Sequence, residues 1–570
     1  MAQLIECVPN FSEGNDLAII RQITTEIESV GGVKVLNVDP GKATNRTVVT
    51  FVGPPQAVVN AAFLAIKKAA ELIDMSKHKG EHPRMGATDV CPLIPISNIT
   101  MEETATYAKQ LGERVGKELQ IPVYLYEAAQ PNKLRNNLSV IRSGEYEGFF
   151  KKIKLKEWVP DFGPSEHSVR SGSTVIGARD FLIAYNINLN TTSVRRANSI
   201  AFDVRETGRV KREGNPITGK IVKDAAGNLQ YIPGTLKSVK AIGWYIQEYG
   251  IAQISMNLTN TNTTPVHIAF DEVCKKATER GIRVTGSELI GLIPLKCMLE
   301  AGRYFLTKQQ RSTGVSEREL IKIAVKSLGL DELTPFKPEE RIIEYLLEDT
   351  LHSPLIKMDL RSFADETASE SPAPGGGSIS AYVGALGISL GTMVANLSSH
   401  KPGWDEHWKE FSDWAEKGQR FKNQLLKMVD EDTNAFNKIM AAFALPKSTE
   451  AEKAERTKTI QEATRYATEV PFEVMKICYH SMDVIKAMAE SGNPNSITDA
   501  GVGAICASAA ISGAFLNVKI NASGLTDNVF ARKLITEGNV IQDKAKVLEA
   551  EILQTVNSKI PLHVDSKTNS

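Results

Sequence analysis

The sequence predicts an α/β fold up to about residue 327 and an all-α fold after it, and three observations carry that prediction. From Leu4 to about Ser327, short β-branched runs alternate with amphipathic segments, the pattern of strands interleaved with helices. Two stretches of that region, 89–96 and 286–294, close blocks of the same kind, so two similar α/β subdomains are expected. Beyond Pro338 the strand alternation stops and long helical periods take over, as in 452–466 and 467–490. The length, 570 residues, calls for about three or four domains at roughly 100 to 200 residues each.

In chain order, 33–38 and 47–52 read as strands and 56–73 as a helix. A Gly/Pro/Ser-rich segment, 160–172, precedes the strand-like run 181–190 and sets a junction near 177–181. The expected domains are therefore 1–180 and 181–326, a polar linker over 327–337, and a helical domain over 338–570. Residues 205–237 are polar, with Gly214-Asn215-Pro216 and Ala226-Gly227-Asn228, and read as an exposed hairpin; 566–570 reads as a frayed tail.

Sixty-seven Lys and Arg balance 67 Asp and Glu, which disfavours a general nucleic-acid binder. With 42 % hydrophobic and 24 % charged residues the chain can bury full cores. Its six cysteines are scattered without CxxC spacing and read as reduced buried thiols. Glu6 and Pro9 interrupt any signal core, so a cytoplasmic protein is expected. Two uncharged stretches, 371–399 and 500–518, are long enough for a membrane. Both are rich in Gly, Ser and Ala rather than Leu, Ile and Phe, which favours close helix contact in a bundle or at an oligomer interface over insertion.

The densest group of ionisable residues is the loop 77–89. His78, Glu81 and His82 formally match an inverted zinc-hydrolase motif, but Gly80 and Pro83 disfavour the helix that motif needs. A histidine acting as general base is the better reading. Asn186, Asn188 and Asn190 share one strand face, and Gln253, Ser255, Asn257 and Thr259 another; facing each other they would form a polar groove for a flat heterocycle, while the alternative is a solvated strand face. In the helical third, Gly375, Gly376 and Gly377 lead into a helix whose first N–H groups can face an anion. Asp432 shares a helical face with Ala435, Phe436 and Ile439, an apolar setting that suits proton transfer, whereas Asp430 falls on another face. Trp404, Trp408 and Phe411 read as packing.

At these motifs the chain resembles formiminotransferase-cyclodeaminase, a bifunctional folate enzyme family of histidine breakdown. The resemblance rests on Cys7-Val8-Pro9-Asn10-Phe11-Ser12-Glu13-Gly14, Gly80-Glu81-His82-Pro83-Arg84-Met85-Gly86-Ala87 and Pro160-Asp161-Phe162-Gly163-Pro164 in the first half. In the last third it rests on Ala373-Pro374-Gly375-Gly376-Gly377-Ser378, the run from Val429 through Asp432 to Phe436, and Phe515-Leu516-Asn517-Val518-Lys519-Ile520-Asn521. It implies two ferredoxin-like α/β subdomains whose sheets face each other around a folate tunnel, then a helical domain that dimerises, with dimers assembling into a larger ring.

It further implies transfer of a formimino group from N-formimino-L-glutamate to N5 of tetrahydrofolate, giving L-glutamate and 5-formiminotetrahydrofolate, and cyclisation of the latter to 5,10-methenyltetrahydrofolate with release of ammonia. His82 maps to the transferase catalyst and Asp432 to the cyclodeaminase catalyst. Folate contacts map to Gly163, Pro164, Ser165, Glu166, His167, Ser168, Val169, Arg170, Ser171 and Gly172. Arg84 and Asp89 are weaker candidates as orienting partners, as are Asp430, Gly375, Gly376, Gly377, Asn517 and Asn521 for the second site. Tetrahydrofolate serves as a substrate, in a form that can carry a polyglutamate tail attracted by Lys401 or Lys519; no metal, nucleic acid or membrane is implied. Two rivals stand beside this reading: a zinc hydrolase on the 78–82 loop, and a noncatalytic folate-binding or membrane-associated scaffold.

Overall fold

The computed structural model describes residues 3–42, 44–80, 83–214, 219–347 and 355–560. Glu81, His82, Asn215, Pro216 and the tail 566–570 lie outside the described residues. The chain forms two compact units, one of residues 1–297 with 328–347, the other of 298–327 with 348–570.

The first unit contains two subdomains of the same βαββαβ order. In the first, β1 (Leu4–Cys7) is continued by β2 (Asn10–Phe11). Then follow α1 (Leu17–Glu28), β3 (Lys34–Gly41), β4 (Arg46–Gly53), α2 (Pro55–Leu72) and β5 (Thr88–Ser97). β1 and β2 lie between β4 and β5, and β3 pairs with the outer edge of β4, all antiparallel. The helix α3 (Met101–Glu118) leads to β6 (Val123–Glu127), and β7 (Thr174–Ala178) joins β5 and β6 in parallel.

Local chemistry accounts for these elements. Asp16 caps α1 by accepting from the N–H of Ala18 and Ile19, and Ile20, Ile23 and Ile27 fall on its buried stripe. Thr100 and Glu103 close a capping box at the start of α3. Period-two alternation sends Ile5, Cys7, Val49, Phe51, Cys91 and Leu93 into the core beneath α1 and α2, and turns Glu6, Val48, Thr50, Val90 and Pro92 to the other face.

The second subdomain repeats the plan with β8 (Ile183–Leu189), α4 (Val194–Val204), β9 (Val239–Ile246), β10 (Ile251–Leu258), α5 (Val266–Thr278) and β11 (Val284–Ile290). Its strand order β9-β10-β8-β11 is the order of β3, β4, β1 and β5. Both sheets are thus ferredoxin-like, as the resemblance implied. Ile183, Tyr185, Ile187 and Leu189 are fully buried on one face of β8. On the same side of β9, Gly243 lets α4 approach so closely that a Cβ there would strike the backbone of Asn198. In place of one hairpin, the segment 205–237 forms two short ribbons, Arg212–Glu213 against Lys220–Ile221 and Tyr231–Ile232 against Arg209–Val210.

The second unit is helical. Its main elements are α6 (Gly376–Ser399), α7 (Trp408–Phe443), α8 (Glu450–Ser491), α9 (Ile497–Ala522) and α10 (Asn528–Lys559). α6 and α9 are the two helices long and apolar enough to cross a membrane among the described residues, and 61 % and 56 % of their apolar windows are buried within the unit. Gly387 of α6 and Gly503 of α9 meet backbone to backbone, the close contact that small residues permit. Trp404 stacks on Phe411 at 5.5 Å, a packing role. All six cysteines are free thiols.

Compactness divides the chain differently from the linker expected over 327–337. Thr313 bonds to Ser412 through both its N–H and its hydroxyl, tying 298–327 into the helical unit. Ser287 donates to the carbonyl of Leu328 at 2.7 Å, and Ile293 bridges Ile342, tying 328–347 into the α/β unit. The backbone of Leu328 and Gly329 is thus bonded to Ser287 on the edge strand of the second sheet.

Candidate active sites

The sheet faces turned away from the helices confront each other across a cavity of 510 Å³. The first sheet contributes Glu6, Asn10, Asp39, Arg46 and Thr50; the second contributes Lys240, Asn257 and Ile290; Arg142 and Arg179 complete the charged wall. Four cationic side chains therefore face two acidic ones, a balance that suits an anionic ligand. Arg142 is matched by Asp89 at 2.6 Å, and Asp89 also accepts from the N–H of Met85 at 3.0 Å. Burial raises the Asp89 carboxyl above its usual range, against the pull of Arg142 and Arg46. Arg46 donates to Asn10, and burial lowers its guanidinium to about 10.

Most of the expected amide groove is occupied by its own members. Gln253 donates to Asn188 at 2.8 Å and accepts from the Trp244 indole at 3.1 Å, while Asn188 also donates to Glu332. Of the amide side chains on β8 and β10, Asn257 is the one on the cavity wall. A buried amide must pair, and cross-strand register offers Asn188 and Gln253 each other before it offers either a ligand.

The loop carrying Glu81 and His82 is held at both of its described ends. Met75 donates to the carbonyl of Arg170 at 2.9 Å, Ala87 to that of Ser171 at 2.8 Å, and Ser12 to that of Gly86 at 2.8 Å. Arg84 grips Glu147 bidentately, at 2.7 and 2.9 Å, contacts Glu145 at 3.0 Å, and donates to Nδ1 of His78 at 3.4 Å. Since Nε2 of His78 lies 2.9 Å from the carbonyl of Asn45, both ring nitrogens of that histidine are engaged within the protein. Among the described residues no group of three His, Cys, Asp or Glu can hold a metal ion.

The segment Gly163 to Gly172 does not line the cavity among the described residues. It underpins the loop instead. Gly172 bridges Gly86, Arg170 donates to the carbonyl of Glu71, and Ser168 and Ser171 bond to each other. His167 sits among the rings of Tyr146, Phe149 and Phe150 with Nδ1 2.8 Å from the Ser173 hydroxyl, and burial lowers its imidazole to about 4. A buried aromatic cage holds this histidine. The remaining members, Gly163, Pro164, Ser165, Glu166 and Val169, are exposed or half-buried.

The second site is a pocket of 200 Å³ in the helical unit, and here the expected residues converge. Gly375 and Gly376 at the start of α6, Asp432 of α7, and Asn517 and Asn521 of α9 all line it, with Phe436 and Ile439. Asp432 accepts from the N–H of Ser378 at 2.9 Å and from its hydroxyl at 3.3 Å. The anion at this glycine-led helix start is thus the protein's own carboxylate. Gly377 is required there because a Cβ would run into that carboxylate. Burial raises the Asp432 carboxyl, and the two Ser378 bonds only partly offset it.

Asp430 is spent elsewhere. It accepts from the N–H of Leu355 at 3.0 Å and, burial aside, is held by the Ile356 N–H as well. Two residues along a helix is about 200° of rotation, which turns it away from the pocket. Asn521 is aimed by a residue that sequence reasoning passed over. Pro471 lies inside α8 and has no N–H, so the carbonyl of Ala467 four residues earlier lacks its helical donor. The Asn521 amide fills that role at 2.7 Å. A proline within a helical run was a readable signal; its partner on another helix was not.

Family models match three consecutive stretches: the N-terminal subdomain of the formiminotransferase domain at 4–179, the formiminotransferase domain at 184–348, and formiminotransferase-cyclodeaminase at 359–539. The chain is 41 % identical over 560 residues to formimidoyltransferase-cyclodeaminase of Mus musculus, covering 98 % of this chain and 100 % of that protein. It is 41 % identical over 324 residues to glutamate formimidoyltransferase of Thermoplasma acidophilum, 56 % of this chain and 98 % of that one. Over 201 residues it is 39 % identical to methenyltetrahydrofolate cyclohydrolase of Methylorubrum extorquens, 35 % of this chain and 97 % of that one.

Proposed function

Because the chain belongs to the formimidoyltransferase-cyclodeaminase family, we propose that it performs two consecutive folate reactions, transferring the formimino group of N-formimino-L-glutamate to N5 of tetrahydrofolate and then closing the product to 5,10-methenyltetrahydrofolate. The observation that carries this reading is that a cavity of the α/β unit is lined mainly from the two stretches the formiminotransferase models match, and a separate pocket of the helical unit is lined from the stretch the formiminotransferase-cyclodeaminase model matches.

The transfer belongs to the 510 Å³ cavity, whose four cationic side chains suit the carboxylates of both substrates. N5 attacks the formimino carbon, a tetrahedral centre bearing three nitrogens forms, and the glutamate nitrogen leaves. The attacking amine loses a proton and the leaving amine gains one. His82 is the proposed shuttle, since an imidazole titrates near the working pH. Arg84 acts on the loop rather than the substrate, through Glu145 and Glu147. Asp89 orients Arg142 at the cavity wall.

The cyclisation belongs to the helical pocket. N10 attacks the formimino carbon, its proton passes to Asp432, and the departing nitrogen leaves as ammonia with a proton returned by the same carboxyl. A carboxyl raised by burial is a better match to neutral proton transfer than an ordinary one. Gly375, Gly376, Asn517 and Asn521 shape the pocket around it. No step uses a metal. We assign the enzyme to the cytoplasm and to a homo-oligomer built through the helical unit, where Leu386, Met393 and Leu397 of α6 and Val502 and Ile505 of α9 stay exposed on otherwise buried helices.

The test uses purified full-length protein with tetrahydrofolate and formiminoglutamate, following methenylfolate absorbance and ammonia. His82→Ala is expected to lose transfer by about 10² to 10⁴ while still cyclising supplied 5-formiminotetrahydrofolate, and Asp432→Ala to do the reverse. Wild-type protein that binds folate but turns over neither substrate refutes the enzymatic reading in favour of a scaffold.

A further inference from the structure

The buried aspartates near the two sites each accept a hydrogen bond from the protein: Asp89 from Arg142 and the Met85 N–H, Asp430 from the Leu355 N–H on Oδ1 although its Oδ2 has no partner among the described residues, and Asp432 from Ser378. Glu6 is the one of these four acids that lines the α/β cavity. It stands on β1 with its side chain on the cavity wall, is 1 % exposed, and its Oε2 has no hydrogen-bond partner among the described residues. The strand register sets it between Val52 and Ile94, so its flanks are apolar.

A buried carboxylate oxygen without a donor is costly to folding, so the site is built for something other than stability. Consistent with this, burial raises the Glu6 carboxyl to about 7, with Arg179 opposing the rise and Glu344 adding to it.

We propose that Glu6 is the recognition group of the cavity for a planar pair of N–H donors attached to one carbon. This rests on the folate reading above and deepens it, because both substrates carry such a pair. The formimino group is an amidine, cationic at neutral pH, whose two nitrogens flank the carbon to be transferred. The pterin ring presents N3–H and its 2-amino group in the same fork. Either matches the two oxygens of a carboxylate, and either supplies the donors that Glu6 lacks. Glu6 is thus a specificity-determining residue, distinct from the proton shuttle.

The experiment compares full-length wild type with Glu6→Gln, which keeps the shape and removes the charge. Steady-state transfer is measured with each substrate varied, and folate affinity by equilibrium fluorescence titration. Cyclisation of supplied 5-formiminotetrahydrofolate and thermal melting report on folding. A KM at least about tenfold higher for one substrate, the size of one charge-assisted bond, is expected, with cyclisation within about twofold of wild type and no loss of melting temperature. A rise confined to formiminoglutamate assigns the fork to the formimino group, and a rise in the tetrahydrofolate KM together with weaker folate binding assigns it to the pterin.

Both constants within about twofold of wild type, or a change in kcat alone, overturn the proposal. Should Glu6→Gln fail to fold, competition on the unaltered enzyme decides: acetamidine or 2-aminopyrimidin-4-one is expected to compete with one substrate, and inhibition by neither overturns it. Wild-type turnover with an indifferent Glu6→Gln removes only this inference. Absence of wild-type turnover removes it together with the folate reading.

Discussion

The two cavities treat a buried acid in opposite ways. In the helical pocket Asp432 accepts from the N–H and the hydroxyl of Ser378 in the first turn of α6, on an apolar face supplied by its own helix. In the α/β cavity Glu6 projects from a strand with an unpaired oxygen, while the amides that might have served it pair among themselves. A helix start provides donors locally, within a few residues of the glycine run. A sheet spends its backbone donors on neighbouring strands, so a side chain on its face must wait for a partner from the opposite sheet or from a ligand. The helical site is preassembled and the sheet site is left to be completed.

The sharpest way to break that contrast is Gly377→Ala. The added methyl displaces the Asp432 carboxyl from Ser378, so cyclisation is expected to fall about tenfold or more, since small displacements of reacting groups are costly, while transfer is unchanged. Ammonia release from supplied 5-formiminotetrahydrofolate, set against glutamate release in the transfer assay, reads both. Retained cyclisation would mean that the Ser378 contact does not position the acid.

Asp430→Ala comes next. It strips the Leu355 N–H of its acceptor and is expected to destabilise the helical unit by about 1 to 3 kcal/mol, measured by urea unfolding, with cyclisation preserved at low temperature. Loss of cyclisation in the folded variant would reverse the roles given to the two aspartates.

Acid separates the units through their histidines. His167 and His267 are lowered by burial to about 4, so between roughly 6.5 and 4 the unfolded chain binds protons that the folded α/β unit refuses. Stability of that unit falls as pH falls through this window. Glu6 acts the other way between about 4.5 and 7, because the folded state then holds the extra proton. Asp89 and Glu127, also raised by burial, act in the same sense as Glu6, so the histidine contribution is read as a difference between proteins. Between pH 7 and 4.5 the melting temperature of His167→Gln is expected to fall less, or rise more, than that of wild type; parallel profiles would remove the histidine from the account.

Pro471→Ala has the smallest expected effect. It restores a helical donor for the Ala467 carbonyl and releases the Asn521 amide from its bond, so a few-fold change in the KM for cyclisation is expected without a change in transfer. An unaltered KM would show that Asn521 is positioned by the rest of its pocket.

How legible these sites were depended on sequence distance. Asp432 was visible because a carboxylate on an apolar helical stripe stands out, and Gly375 to Gly377 as a helix start, whereas Asn517 and Asn521 came only with the family resemblance. In the α/β unit the motifs were visible but their spatial roles were not. The segment Gly163 to Gly172 bonds through the carbonyls of Arg170 and Ser171 to Met75 and Ala87, and its His167 packs in an aromatic cage. Glu6 was written into a strand of four residues and went unread, because which face of β1 looks into the cavity is settled only when a second sheet arrives from 180 residues away.

The sequence by itself determined the two classes of architecture, the order of the elements, the family, and which short segments hold reactive side chains. The architecture and element order follow from periodicity and local capping, which act within a few turns of chain, while the family and its reactive segments follow from shared motifs. Only the tertiary structure decided which of two nearby aspartates faces a pocket, which amides are already paired, and which acid is left waiting, because hydrogen-bond partners are assigned by packing between elements distant in sequence.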